Sequence, residues 1–107
     1  MSGTFGEMGN LLKQAQQMQR ELDRAREELV KMRVEGSAGG GVVRVEVSGE
    51  GMVLKVHVKP ELVASGDASL IEETVLAAVR DGLTRAATMR QERMAKVTGG
   101  LNLPGIL

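Results

Sequence analysis

The sequence predicts a single α+β domain, with a long N-terminal helix, a small antiparallel sheet of two to three strands, and a long C-terminal helix. Three patterns predict this order: apolar heptads over residues 8–32, two runs of alternating apolar residues around a glycine turn, and renewed helical spacing after Leu70. The 107 residues suit one domain spanning 1–107. Phe5 is the only aromatic residue, so the core lacks large side chains and we expect a partner chain to complete it.

The first helix is predicted over residues 8–33 because its apolar residues alternate spacings of three and four. They are Met8, Leu11, Ala15, Met18, Leu22, Ala25, Leu29 and Met32. Residues 1–9 are predicted to be a flexible start, and the helix begins either near Thr4, which has a capping-box spacing to Glu7, or near Asn10. Such a helix is about 39 Å long, whereas a compact domain of this size has a radius of gyration of about 13 Å. It should therefore overhang its domain, and its strict heptads favour a coiled-coil seam over packing on its own sheet alone.

The sheet is predicted from the runs VVRVEV and MVLKVHVK, which flank the turn Ser48–Gly51. Alternation predicts an antiparallel hairpin with one buried face and one polar face. The buried face should hold Val43, Val45, Val47, Met52, Leu54, Val56 and Val58. A third strand around Val34–Gly36 has a weaker signal. The glycine-rich segment 34–41 as a whole ends the first helix.

The second helix is predicted over roughly Leu70–Met94, after a connector at 61–67 and a capping box formed by Ser69 and Glu72. Gly82 weakens this helix by about 1 kcal/mol relative to Ala. Residues 99–107 are predicted to be an irregular tail because they begin with Gly99-Gly100, which stops the helix, and contain Pro104.

No pattern in the sequence predicts catalysis, a metal ion or a cofactor. Cysteine is absent, which excludes disulfides and thiolate chemistry. His57 is interpreted as a solvent-facing residue of a strand, and Asp81 as a partly exposed helix charge. The Gly39–Gly41 run is followed by a strand rather than by a helix carrying Lys-Ser/Thr, so it is a turn or a bulge and not a phosphate loop. We therefore expect no enzyme and no small-molecule substrate. No signal peptide or long apolar segment is recognisable, so no membrane association is expected.

The position of the charges is more informative than their sum, which is zero. Residues 1–20 and 85–107 carry six cations and two anions, whereas residues 21–84 carry eight cations and twelve anions. Antiparallel helices would bring both chain ends into one basic tip on an acidic body. The candidate phosphate contacts are Lys13, Arg20, Arg85, Arg90, Arg93 and Lys96. Alternatively, Arg90, Arg93 and Lys96 only complement the dipole of the second helix.

The segments GNLLKQAQQMQ, VVRVEVSGEGMVLKVHVKPEL, LIEETVLAAVRDGLTRA and MAKVTGGLNLPG, in this order, resemble the YbaB/EbfC family of bacterial nucleoid-associated proteins. The chain departs from the family at Lys59, where Asp is common, and at Gly82, where Ala is common. The resemblance implies a tweezer-shaped homodimer with helical arms, binding to double-stranded DNA, an influence on gene expression or nucleoid organisation, and a cytoplasmic, nucleoid location.

The function predicted from the sequence is therefore binding of duplex DNA by a homodimer through basic arm tips. The lack of aromatic residues argues against stacking on single-stranded bases. A non-enzymatic protein-interaction module, in which the helices clamp a partner protein, is the alternative. The isoelectric point near 6.6 favours this alternative because most DNA-binding domains are basic overall.

Overall fold

Two long helices and a three-stranded antiparallel sheet make up the computed structural model, which describes residues 2–99 and the side chains of residues 6–99. The elements are α1 (Ser2–Lys31), β1 (Arg33–Ala38), β2 (Val43–Ser48), β3 (Val53–Val58), the short α2 (Pro60–Ala64) and α3 (Ala68–Gly99). This order confirms the predicted fold class, and of the two to three strands expected all three are present. The weakly signalled third strand is present as β1 and is twice as long as expected.

The sheet has the order β1-β2-β3, so β2 is central and the other two strands are its edges. Ala38 pairs with Val43 across a turn made of Gly39–Gly41. All three glycines have positive φ, between 64° and 93°, which side chains other than glycine rarely adopt. Between β2 and β3 the register shifts at Glu46 and Val47, which marks a β-bulge.

The core lies between the sheet and one face of α3. Val43, Val45 and Val47 of β2 are fully buried against Ala78 and Ala86 of α3. Small residues let this helix approach closely: a Cβ at Gly82 would lie 2.7 Å from Cγ2 of Val47, and a Cβ at Gly36 would overlap the Gly82 backbone. Gly82, which was predicted to weaken the second helix, therefore lies where α3 and the sheet approach each other most closely.

The prediction of a buried face on both strands of the hairpin is wrong for β3. Met52, Leu54 and Val56 are 57%, 44% and 43% exposed, whereas the valines of β2 are inaccessible. The reason is that α3 lies across β1 and β2 and reaches β3 only at its margin. Alternation identified which side chains share a face but carried no information on how far the covering helix extends.

The predicted overhang of the first helix is confirmed, because the molecule measures 78 × 24 × 16 Å and has a radius of gyration of 21.2 Å. Ala25 and Leu29 are buried, whereas Met8 and Leu11 of the same heptad pattern are each 63% exposed. Helix α1 begins at Ser2, close to the Thr4 alternative and not near Asn10, and it ends at Lys31. Residues 2–9, expected as a flexible start, are thus helical.

The bounds of the second long helix also differ from the prediction. Asp67 caps α3, since its Oδ1 accepts a hydrogen bond from the Leu70 backbone N–H at 3.0 Å. Ser69, predicted as the cap, lies inside the first turn. The connector contains α2, which begins with Pro60 at its first turn. Helix α3 continues through Gly99, and the remainder of the predicted irregular tail, 100–107, lies outside the described residues.

Candidate nucleic-acid interface

The two long helices meet near the C-terminal end of each, and they run antiparallel there. Glu28 of α1 forms an ion pair with Arg93 of α3. Nearer the N-terminus of α1 and the C-terminus of α3 than this ion pair, Glu21 and Ala25 line a groove together with Lys96 and Val97. The end of α3 therefore lies beside the middle of α1, and residues 6–20 of α1, here called the overhang, project beyond this contact. The overhang and the end of α3 do not form the single shared tip expected from the sequence.

Lys13 and Arg20 are the two candidate cations on the overhang. They are seven residues apart, so they lie on the same face of α1, about 10 Å from each other. Both are exposed, and neither forms a hydrogen bond or ion pair within residues 6–99. Their charges are available to an external anion.

Arg24 is a third exposed cation of this region, and the sequence pattern did not single it out. It lines the groove between the helices together with Lys96, which is the candidate cation nearest the end of α3. Neither side chain has an acidic partner among the described residues. Arg24 follows Arg20 by four residues, and residues at this spacing are neighbours on a helix, so the sequence did contain a signal for it. Because the charges were counted separately for residues 1–20 and 21–84, the two arginines fell into different groups.

Arg85 lies over the sheet and not at a tip. Its Nε donates to Asp81 Oδ2 at 3.1 Å, and the same oxygen accepts a hydrogen bond from the Ser37 backbone N–H at 3.0 Å. The Ser37 hydrogen bond lowers the pKa of Asp81 below its ordinary value of 3.8; desolvation opposes this, and Arg85 adds to it. The carboxylate interpreted as a plain helix charge thus ties α3 to β1.

Arg90 and Arg93 contact the protein itself. Arg90 donates from Nη1 to the carbonyl oxygen of Gly49 at 3.2 Å, which joins α3 to the turn between β2 and β3. Arg93 pairs with Glu28, and its Nε is buried without an acceptor among the described residues. These two guanidinium groups fix how α3 sits on the rest of the molecule, so three of the six candidate cations have structural contacts and three do not.

The open face of the sheet, opposite α3, carries charges that are largely paired. Arg33 lies 3.5 Å from Glu46, and Arg44 lies 3.8 Å from Glu35, in both cases between Nε and a carboxylate oxygen. His57 lines the same shallow depression. Because a cation and a carboxylate alternate along β1 and again along β2, and pair diagonally between these strands, this face presents no uniform positive potential to a polyanion.

The described part of the chain offers neither a metal site nor a membrane span. Within residues 2–99, no group of three or more His, Cys, Asp and Glu side chains is arranged to hold a metal ion. No helix in this part is long and apolar enough to cross a membrane.

Comparison with known proteins places the chain in a recognised group. The sequence model of the YbaB/EbfC DNA-binding family matches residues 5–101. The chain is 42% identical to the nucleoid-associated protein TTE0040 of Caldanaerobacter subterraneus subsp. tengcongensis over 99 residues. These aligned residues make up 92% of this chain and 89% of that protein. Identity is also 42% over 105 residues to a nucleoid-associated protein of Acetivibrio thermocellus, covering 97% and 93%.

One solved structure supports the fold independently. The crystal structure of the uncharacterized protein HP0035 from Helicobacter pylori matches with a TM-score of 0.73 at 22% identity, over 89% of this chain and 97% of that chain. At this level of identity the likeness concerns the arrangement of helices and strands.

Proposed function

Because this chain belongs to the YbaB/EbfC DNA-binding family, we propose that it is a nucleoid-associated protein that binds duplex DNA as a homodimer. The contacts are phosphates, held by cations on the helical arm that α1 and the end of α3 form. Its place is the nucleoid of the cytoplasm, and its role is binding rather than catalysis.

The observation that carries this proposal is that the arm offers exposed cations without acidic partners, while the body is acidic overall. Four exposed cations without acidic partners in the described residues lie along the arm, namely Lys13, Arg20, Arg24 and Lys96. The body of the molecule carries more anions than cations, so it repels DNA and restricts binding to the arm. Of the other candidates, Arg90 and Arg93 contribute by holding α3 in place, and Arg85 pairs with Asp81, the residue that ties α3 to β1.

Salt dependence of DNA binding tests the proposal. The affinity of the wild type should fall with salt, and the slope of log affinity against log salt should be about −0.9 for each phosphate contact. The double variant Lys13→Ala/Arg20→Ala should bind more weakly than the wild type, by a similar factor for unrelated duplexes. Its slope of log affinity against log salt should be flatter by about 0.9 for each phosphate that is no longer neutralised. Its melting temperature should be unchanged, since exposed charges contribute little to stability.

The matched control is Lys55→Ala/Lys59→Ala, which removes two exposed cations from the body. It should keep the wild-type slope, because acidic neighbours cancel the field of those residues. If this control loses binding while Lys13→Ala/Arg20→Ala retains it, the interface lies on the sheet and the arm proposal is wrong. If Arg90→Ala/Arg93→Ala flattens the slope without loss of stability, the contacts run along α3 instead.

A helical clamp for a partner protein is the second candidate, and one observation favours it. Met8, Leu11 and Leu12 are 63%, 63% and 61% exposed on the overhang, and together they form an apolar patch of a kind that marks interaction surfaces. In that case the wild type shows no salt-dependent DNA binding even at low ionic strength, which separates the clamp from the DNA-binding function.

A further inference from the structure

The apolar stripe of α1, formed by its heptad residues, extends further out than α3 covers it. Ala25 and Leu29 are buried. Met8 and Leu11 lie on the same face, at multiples of seven residues from them, and are each 63% exposed. This face is turned toward α3, because Ala25 lines the groove between the two helices. Within the part of the chain that the structure describes, the outer stripe on the overhang is therefore open to solvent.

The end of α3 is directed along this open part of the stripe. The two helices are antiparallel where Glu28 pairs with Arg93, and both rise about 1.5 Å per residue. Six residues beyond this pair, Gly99 of α3 is therefore about level with Leu22 of α1. A chain that continues from Gly99 in the direction of α3 runs alongside the overhang toward Met8.

Residues 100–107, here called the tail, lie outside the described residues, and their composition and length suit the open stripe. The tail carries no charged residue, and four of its eight residues are Leu or Ile. A segment of this composition is stabilised by burial against other apolar surface. In an extended conformation such a segment spans about 26 Å, whereas Leu22 and Met8 are about 21 Å apart along α1. The tail is therefore long enough to reach the outer end of the stripe.

We propose that the tail docks on the apolar stripe of the overhang in its own chain, as an extended strap that continues where α3 ends. Side chains of an extended segment alternate between two sides, so Leu101 and Leu103 face the stripe together while Asn102 faces solvent. Pro104 supports this conformation, because the residue before a proline favours extended backbone. The strap completes the arm, since it covers with residues of the same chain the surface that α3 leaves open.

The chain's own tail is favoured over a separate partner because it is attached beside the stripe. A tethered segment meets its site at a high effective concentration, so weak contacts suffice. Docking also leaves two candidate phosphate contacts free, since Lys13 and Arg20 lie at the heptad position that faces away from the stripe. The inference therefore rests neither on the proposed DNA binding nor on a homodimer.

Cysteine cross-linking tests the docking, and the natural chain contains no cysteine that would interfere. In an extended tail, Leu103 lies about 13 Å beyond Gly99, level with residues 13–15 of α1. The double variant Ala15→Cys/Leu103→Cys should therefore form a disulfide within one chain on mild oxidation. The matched control Lys13→Cys/Leu103→Cys should not, because residue 13 is at the same level but on the opposite face of the helix. Non-reducing electrophoresis and intact mass distinguish a disulfide within one chain from one between chains.

Hydrogen exchange of the full chain without DNA gives an independent readout. Leu101→Glu/Leu103→Glu places charges against the stripe and should speed amide exchange in residues 8–17 at least about 5-fold, because the strap no longer holds this part of α1. Exchange in residues 25–31, which pack on the body, should be unchanged. The matched control Asn102→Glu adds a charge on the solvent side of the strap and should leave residues 8–17 as in the wild type. One extended segment holds the helix less firmly than the body does, so residues 8–17 remain the faster-exchanging part of α1.

The outcomes separate the strap from other occupants of the stripe. A disulfide within one chain in Ala15→Cys/Leu103→Cys but not in its control, together with faster exchange in Leu101→Glu/Leu103→Glu, supports the strap. A disulfide that joins two chains shows that the tail binds a neighbouring copy, and it overturns docking within the chain. The absence of a disulfide, with exchange unchanged by the leucine substitutions, overturns the strap and leaves the stripe to a second copy or a partner protein. DNA binding is measured separately by its salt slope.

Discussion

Single residues decide how closely α3 approaches the sheet, and Gly36 is the clearest case. A Cβ at this position would overlap the Gly82 backbone and the carbonyl oxygen of Ala78. Both obstacles are main chain, so no rotamer change relieves the overlap and the helix itself must move. The sequence indicated Gly36 only as part of a helix-ending cluster, because the identity of its neighbour 46 residues later depends on the packed structure.

We therefore expect Gly36→Ala to lower the free energy of unfolding by about 2–3 kcal/mol, the upper part of the range for overpacked cores. The midpoint of urea unfolding measures this loss. The control is Gly9→Ala on the overhang, where a Cβ meets nothing within 4 Å; it should be neutral or stabilising, by up to about 1 kcal/mol, through helix propensity. Equal effects of the two substitutions would show that the close approach at Gly36 does not matter.

At the scale of elements, local signals predicted which elements form and were less successful on where they end. Heptads and alternation found α1, β2, β3 and α3. The capping box at Ser69 was a plausible signal, but Asp67 lies at the position where its carboxylate meets the free N–H groups of the first turn. Counting charges along the chain likewise did not predict the ion pair of Arg93, because its partner Glu28 is 65 residues away in the chain.

The cap assignment predicts that Asp67→Ala lowers the stability by about 1 kcal/mol, the usual cost of losing an N-cap side chain. Ser69→Ala should change it by no more than a few tenths, since Ser69 is already helical and alanine is a better helix former. Thermal and urea unfolding of the two variants, compared with the wild type, check this order. A larger loss for Ser69→Ala would mean that α3 begins later in solution, as the sequence pattern alone predicted.

For the whole molecule, the principal finding is that stabilising contacts are concentrated at one end of a long particle. The core residues lie between the sheet and α3, and α1 contributes Ala25 and Leu29 close to that end. Within the described residues 6–20, the overhang has no buried side chain, and Met18 is the only half-buried one. The length of the overhang was predictable from the heptads. The heptads did not show which of their residues pack within the chain, because the same apolar spacing occurs in a helix packed on its own domain and in a coiled-coil interface.

Hydrogen exchange should consequently divide α1 into two parts in the DNA-free protein. Isolated helices shorter than about 12–15 residues are marginal in water, and Gly6 and Gly9 weaken this one further. We expect amides of residues 8–17 to exchange at least roughly 10-fold faster than those of residues 25–31, which pack on the rest of the molecule. Duplex DNA should raise protection in residues 8–17, because bound phosphates order the helix that carries Lys13 and Arg20. Uniform protection along α1 before DNA is added would show that another surface already covers the apolar stripe of the overhang. Protection that DNA leaves unchanged there would remove the overhang from the DNA interface.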